Sequence, residues 1–358
     1  MSMLTLWRLH SAPRIFQSAY AYTSLYHSEN GIYGHRRKEQ RLSPEKDLLS
    51  CFQWCTEIDL SNYGLSKDST TQFDVNGILN NGASKLTTAQ LTDTLENIYC
   101  GPIAVEFDYL QTEEREWFAH TFESQRKSLI PDERKADLAK LMLKFPNKFT
   151  TVKRYGGEGG ESMMAIFDEI FSYSAQGKFT TVKRYGGEGG ENDISHIVMC
   201  MPHRGRLNFL TCMLKFPPVI MFQKMKGKSE LPPGAKGTGD VLSHLYTSED
   251  IQYHGKDIHV SLIPNPSHLE GVVAETFGFA ECPHFNVGGS IHIIVNNQLG
   301  FTTEPSRARS SLYSSCLAKI NSYPVIHVNA DYPEEVIRAT SIAMIIRPKD
   351  KDNTTVVL

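Results

Sequence analysis

The chain has 358 residues, of which 37 are basic and 40 acidic, and its formal net charge is −3. This near balance gives no reason to expect a nucleic acid or a membrane surface as a partner, because phosphate binding requires a basic face. No stretch of the sequence approaches the roughly 18 consecutive apolar residues of a membrane span. The seven cysteines form no CxxC pair and the histidines no HExxH motif, which argues against a zinc site.

The amino-terminal segment, residues 1–28, has the composition of a targeting sequence. It contains Arg8 and Arg14, several hydroxyl and aromatic side chains, and no acidic residue before Glu29. These features are typical of an amphipathic mitochondrial presequence and predict import into the mitochondrial matrix. A slightly basic terminus without a targeting role is the alternative. As a presequence, the segment is expected to lie outside the fold.

Two regions without an evident chemical role follow. Residues 29–85 are charged at first and then rich in Gly, Ser, Asn and Asp, which predicts a weakly structured arm. Residues 86–193 are expected to form a small helical module. Its helices are predicted from apolar periodicity, capping residues and first-turn acids, at 86–99, 112–129, 131–145 and 162–175.

A duplicated segment interrupts this module. The letters KFTTVKRYGGEGGE occur at 148–161 and again, unchanged, at 178–191. Solenoid repeats would be degenerate and more numerous, so the two identical copies favour a duplicated fragment. The first copy is expected to start the helix at 162–175, and the second to form a loop. The GGEGG run beside Lys153 and Arg154 is a weak candidate phosphate cradle, because it matches neither GxGxxG nor GxxxxGK[ST].

From residue 196 onward, the sequence alternates strands, polar strand ends and helices. Four apolar runs end in polar side chains, namely His203 and Arg204, Asn265 and His268, Asn296 and Asn297, and Asn329 and Asp331. Ligands of open α/β sheets bind where such strands end. The sequence therefore predicts an α/β domain over 194–358, with a mostly parallel sheet, helices on both faces and one polar site along a sheet edge. A buried histidine and a structural ion pair are the alternative roles for His203 and Arg204.

Several motifs resemble those of the E1 component of the 2-oxoglutarate dehydrogenase family. They are MPHRGRLN (201–208), PNPSHLE (264–270), VNNQLGFTT (295–303) and RARSSLY (307–313). Three further stretches, KRYGGEG, YHSENGIYGHR and LPPGAKGTGDVLSHL, look more like the mitochondrial 2-oxoadipate branch of this family. Such enzymes use thiamine diphosphate to decarboxylate a 2-oxo dicarboxylic acid and pass the acyl group to a lipoyl-bearing E2, which works with an E3.

The resemblance implies a fold and a set of site residues. The chain would contain the first half of a thiamine diphosphate-binding fold, and the complete protein would be a homodimer. Asn297 would provide a side-chain oxygen and Leu299 a main-chain carbonyl to the Mg²⁺ that bridges the diphosphate. Arg204 would lie near the cofactor. His203 and His268 would be the catalytic histidines, which hold substrate carboxylates and move protons.

The chain also departs from the family pattern. A Gly-Asp pair, whose aspartate binds Mg²⁺ in the family, should precede Asn297 by about thirty residues. The sequence at that distance reads PSHLEGVVAETF, so a segment of a few dozen residues is expected to be missing near Val272 and Val273. The family's activating glutamate lies in domains beyond the last residue. The isolated chain is therefore expected to show no decarboxylation of 2-oxo acids.

Two functions from other classes are the alternatives. One is a truncated, non-catalytic product that retains only a partner-binding surface. The other is a Rossmann-like nucleotide binder, which the absence of a GxGxxG motif disfavours. Within the E1 interpretation, 2-oxoglutarate and 2-oxoadipate differ by one methylene, and both are compatible with the sequence.

Overall fold

The structure is a computed structural model. It describes residues 2–9, 21–23, 58–76, 78–79, 84–124, 130–143, 160–176, 194–202, 204–229, 233–234, 245–264, 290–296, 311, 313–345 and 355–357. No helix within these ranges is long and apolar enough to cross a membrane.

These ranges contain eleven strands, eight α-helices and a short 3-10 helix, Leu60–Tyr63. The strands are β1 (Ser2–Leu9), β2 (Ala21–Thr23), β3 (Gln72–Asp74), β4 (Lys85–Thr87), β5 (Ile103–Glu106), β6 (His196–Cys200), β7 (Thr247–Tyr253), β8 (Lys256–Ile263), β9 (Ser290–Val295), β10 (Val325–Val328) and β11 (Thr355–Val357). The helices are α1 (Thr88–Tyr99), α2 (Thr112–Ser124), α3 (Asp132–Leu143), α4 (Met163–Gln176), α5 (Arg206–Cys212), α6 (Pro218–Met225), α7 (Cys316–Ile320) and α8 (Pro333–Ile345).

The main sheet is mixed. Its strands lie in the order β5-β10-β11-β9-β1-β6-β8-β7, and β2 pairs with β1. Strands β10, β11, β9, β6 and β8 share one direction, whereas β5, β1 and β7 run antiparallel to their neighbours. The α/β class agrees with the prediction, but a mostly parallel sheet is not confirmed. One cause of the mixed strand directions is the tight turn between β7 and β8 at His254 and Gly255, both at positive φ. A two-residue turn joins only antiparallel strands.

The amino-terminal segment contributes to this sheet. Strand β1 pairs with β9 through Ser2–Trp7 and with β6 through Thr5–Leu9. This differs from the expectation that residues 1–28 lie outside the fold. The physical reason is that β9 and β6 each offer a backbone edge, and an extended apolar segment can satisfy both edges at once. The targeting role of residues 1–28 stays a prediction.

The predicted helices form, but not as a separate module. Helix α1 starts with a capping box, in which the Thr87 hydroxyl accepts from the backbone N–H of Gln90 and the Gln90 side chain accepts from that of Thr87. Phe118, Phe122 and Leu138 of helices α2 and α3 belong to the same hydrophobic core as the sheet. Strand β5, within the same region, pairs with β10. The predicted weakly structured arm, 29–85, contains β3, which forms a hairpin with β4 at the end of the arm.

Helix α4 is the central helix of the core. It packs against β7, β8, α3 and α8, and nearly all of its residues are buried. The Phe209 ring of α5 lies 4.3 Å from the ring of Phe167 and 6.3 Å from that of Phe171, centroid to centroid. These contacts fix the orientation of α5, which follows directly after the end of β6.

An ionic network on α4 joins four elements. The Arg134 guanidinium of α3 pairs with Asp168 at 3.1 Å and with Glu169. The Tyr253 hydroxyl of β7 donates to Asp168 at 3.1 Å, and the Ser341 hydroxyl of α8 donates to Glu169 at 2.6 Å. Because each carboxylate has more than one partner, the network fixes the position of α4 relative to the sheet.

Candidate functional site at the carboxyl edge of the sheet

Four strands end at the same edge of the sheet. Strands β6, β8, β9 and β10 share one direction, so the residues that follow them lie along one edge. Among the described residues, these are Arg204, Pro264, Asn296 and Asn329. The arrangement agrees with the expectation that the polar ends of the four apolar runs share one edge. His203, Asn265, His268, Asn297 and Leu299 lie outside the described residues, and their roles stay predictions.

Arg204 lies where β6, β9 and the start of α4 meet. It is half-buried in the turn between β6 and α5. A methyl group on Gly160 would lie 3.7 Å from Arg204 Cγ and 3.5 Å from Val295 Cγ1. The glycine that precedes α4 therefore touches both the candidate cofactor-binding arginine and the last residue of β9, although 44 and 135 positions separate them along the chain.

The start of α4 is also attached to β10. Gly160 has a φ of +70°, and its carbonyl accepts from the backbone N–H of Met163 at 2.9 Å. The Ser162 hydroxyl donates to the carbonyl of Ala330, just after β10, at 2.6 Å. Gly160 and Glu161 end the first copy of the duplicated segment, so its predicted place at the start of the helix is confirmed. The second copy lies outside the described residues.

This arrangement favours an anion. The amino end of a helix carries partial positive charge from its peptide dipoles, and α4 is 14 residues long. Arg204, whose Cγ lies near Gly160, carries a full positive charge and donors suited to phosphate oxygens. Among the described residues, no group of three or more His, Cys, Asp or Glu side chains could hold a metal ion. The described part of this edge therefore fits a phosphate group, while the predicted Mg²⁺ ligands Asn297 and Leu299 lie outside the described residues.

Arg206 is the residue at this edge that the sequence did not single out. Its side chain is fully buried. Nη1 donates to the carbonyl of Met201 at 2.8 Å, and Nη2 donates to those of Leu245 and Ile263 at 2.5 and 2.7 Å. Burial lowers its pKa to about 10, so the guanidinium is still charged at neutral pH. Arg206 therefore joins the ends of β6 and β8. The feature of the sequence that could have indicated a role for Arg206 is its position two residues after Arg204.

The end of β10 is held by local hydrogen bonds. The backbone N–H of Asn329 donates to the carbonyl of Pro102 at 2.8 Å. The side-chain oxygen of Asn329 accepts from the backbone N–H of Asp331 at 3.0 Å. Asn329 therefore shapes the turn into α8, and Asp331 is exposed.

Comparisons with known proteins identify sequences similar to this chain. The Dehydrogenase E1 component family matches residues 251–356. A 2-oxoadipate dehydrogenase complex component E1 from Rattus norvegicus is 41% identical over 328 residues, which cover 76% of this chain and 34% of the relative. Its counterpart from Danio rerio is 36% identical over 412 residues (90% and 43%). A 2-oxoglutarate dehydrogenase E1 component from Brucella canis is 32% identical over 349 residues (81% and 33%).

Two features of these alignments bear on the site. The chain spans between 33% and 43% of the length of these relatives. The alignment with the rat protein is 328 residues long, whereas 76% of 358 residues is about 272, so about 56 aligned positions have no counterpart in this chain. This agrees with the expectation of an internal missing segment. The matches show that residues 251–356 belong to the Dehydrogenase E1 component family and that the chain is similar to proteins named as E1 components of 2-oxoadipate and 2-oxoglutarate dehydrogenase.

Proposed function

We propose that this chain is an E1 component, or part of one, of a 2-oxoacid dehydrogenase complex of the 2-oxoglutarate and 2-oxoadipate type. The reaction is the thiamine diphosphate-dependent oxidative decarboxylation of a 2-oxo dicarboxylic acid, with acyl transfer to a lipoyl-bearing E2. The observation that carries the proposal is the meeting of Arg204, Gly160 and the end of β9 at the carboxyl edge of the sheet. The names of the relatives support the reaction class.

The described residues would hold the phosphate end of the cofactor. When bound, thiamine diphosphate supplies a nucleophilic carbon for addition to the keto group of the substrate. Arg204 would bind the diphosphate through its guanidinium, with the amino end of α4 beside it. Arg206 would keep the ends of β6 and β8 in register, because it is hydrogen-bonded to carbonyls at both ends. Asn297 and Leu299 would bind the Mg²⁺ that accompanies the diphosphate.

The substrate would meet two histidines. His203, next to Arg204, and His268, in the segment after β8, would bind the carboxylates of 2-oxoglutarate or 2-oxoadipate and carry protons near neutral pH. The partners of the complete protein would be E2 and E3, with a second copy of the chain forming a homodimer. The location would be the mitochondrial matrix, in line with the composition of residues 1–28.

Cofactor binding tests the proposal directly. Titration calorimetry of the folded chain with thiamine diphosphate and Mg²⁺ should detect binding. Arg204→Ala should weaken that binding by about tenfold to a hundredfold, because a charge-assisted contact contributes about 1.5–3 kcal/mol. Arg115→Ala, which removes an equal charge from an exposed position of α2, is the matched control. Equal affinity of the two variants, or no binding by the wild-type chain, would reject the proposed site.

Catalysis is tested separately. The chain is mixed with thiamine diphosphate, Mg²⁺, an artificial electron acceptor and either 2-oxoglutarate or 2-oxoadipate. Because the expected Mg²⁺ carboxylate is missing, the isolated chain should show no turnover even if the cofactor binds. Turnover above the blank would contradict this expectation, and the relative rates with the two acids would then identify the substrate.

A further inference from the structure

Strand β1 joins two parts of the sheet that lie far from it in sequence. It stands between β9 and β6 and runs antiparallel to both. Residues 2–7 are paired on one side and residues 5–9 on the other. Thr5 is opposite both Cys200 of β6 and His292 of β9. In the described structure, the segment Ser2–Leu9 is thus what connects β9 to β6.

The two flanking strands depend on this segment. Ile197 and Met199 of β6, and Ile291 and Ile293 of β9, are at most 3% exposed. Without β1, each strand would present a row of unpaired N–H and C=O groups beside these apolar side chains, and both features are costly in water. A segment from the far end of the chain closes the sheet here.

We propose that the cleft between β6 and β9 is a strand-acceptor site, and that its occupant is the chain's own segment Ser2–Leu9. Removing the amino terminus opens the site, which then binds an extended peptide of the same sequence by strand addition. The two features that define the site are the antiparallel pairing of β1 on both sides and the burial of the flanking apolar residues. If residues 1–28 are a presequence, its removal is the event that opens the sheet. The proposal does not depend on thiamine diphosphate binding.

A disulfide tests the occupant and its register. Residues directly opposite on antiparallel strands have Cβ atoms about 4.5–5.5 Å apart, near the spacing a disulfide needs. Thr5→Cys should therefore form a disulfide with the native Cys200 under mild oxidation, detected by peptide mapping. Leu6→Cys, which the register places opposite Met199 and not Cys200, should not. A missing 5–200 disulfide would overturn the proposed register. A 5–200 disulfide between two chains would show that a second copy fills the site.

Release of the strand tests the acceptor site. A protease site is inserted between residues 28 and 29, the folded chain is cleaved, and the released segment is removed by gel filtration. Amide exchange of β6 and β9 should then accelerate by at least about tenfold. A synthetic Ser2–Leu9 peptide should restore protection, whereas the same peptide with Leu6→Pro should not, because proline lacks the N–H needed for pairing. Unchanged exchange after removal, or equal rescue by both peptides, would overturn the proposal.

Discussion

Glu106 on β5 and His327 on β10 lie 2.6 Å apart, from Oε1 to Nε2, and they join the outermost strand to the rest of the sheet. Lys319 of α7 pairs with the same carboxylate, and its ammonium lies 5.9 Å from the ring centres of Tyr109 and Tyr313. The hydrogen bond to His327, followed by the one to Lys319, lowers the pKa of Glu106 below its ordinary value of 4.5.

Glu106→Gln should destabilise the fold at neutral pH. The expected loss is about 1–3 kcal/mol, because the variant leaves His327 and Lys319 without their shared anion. Since the folded pKa of Glu106 lies below 4.5, its contribution is present above that pH and is lost as the pH falls through the folded pKa. Urea unfolding from acid to neutral pH measures the difference. Glu113→Gln, at an exposed position of α2, should change stability by less than about 0.5 kcal/mol. A difference in free energy of unfolding between Glu106→Gln and the wild type that stayed constant at every pH would contradict a contribution linked to the pKa of Glu106.

His292 predicts a second pH dependence, at higher pH. It lies within β9, is 2% exposed, and burial lowers its pKa from 6.5 to about 3. As the pH falls below 6.5, the unfolded chain takes up a proton that the folded chain does not. Stability should therefore fall at up to about 1.4 kcal/mol per pH unit across this window.

The variant His292→Gln isolates this contribution. It keeps a polar group that can bond to the Ser290 hydroxyl, which lies 3.4 Å from His292 Nε2, but it does not titrate. Its free energy of unfolding should vary less between pH 6.5 and 3 than that of the wild type. His120→Gln, at an exposed position of α2, should leave the slope unchanged. A wild-type slope in His292→Gln would show that other groups cause the acid dependence.

The sequence predicted most helices and apolar strands because their periodicity is local. It missed β7, since Thr247–Tyr253 contains a single fully buried residue, Ile251, within a polar edge strand. It also missed the role of β1, because nothing local shows that β9 and β6 leave a gap between them. At the site, Arg204 was predicted from its motif, and its cofactor-binding role stays a prediction. The burial of Arg206 could not be predicted from the sequence, since two of its carbonyl partners belong to Leu245 and Ile263, far along the chain.

Arg206→Met should be strongly destabilising. Methionine fills similar volume but leaves the carbonyls of Met201, Leu245 and Ile263 without the donors they now have. An unsatisfied buried carbonyl costs about 1–3 kcal/mol, so a total loss of about 2–5 kcal/mol is expected. Arg206→Lys should recover only part of this, because an ammonium cannot reproduce the planar fork of the guanidinium. Urea unfolding measures the free energy of unfolding of both variants, with Arg115→Ala as the control. Wild-type stability of Arg206→Met would show that the three hydrogen bonds contribute little.

Comparing alanine substitutions at Gly160 and Gly227 distinguishes the effect of backbone strain from a role in cofactor binding. Both have positive φ, +70° and +73°, so an alanine at either position should cost about 1–2 kcal/mol of stability. Their surroundings differ. A methyl group on Gly160 would contact Val295, Arg204 and Met163 at 3.5–3.8 Å, whereas one on Gly227 would meet nothing within 4 Å.

The two alanine variants should therefore unfold at similar urea concentrations but differ in ligand binding. Those contact distances are ordinary van der Waals separations, so Gly160→Ala should fold. Its left-handed strain should instead shift the start of α4, next to Cγ of Arg204, and weaken thiamine diphosphate binding by several-fold. Gly227→Ala should bind like the wild type, because a methyl group there would contact no other residue. If both variants bound thiamine diphosphate equally well, Gly160 would serve only the turn that precedes α4, and the cofactor would not approach the amino end of α4.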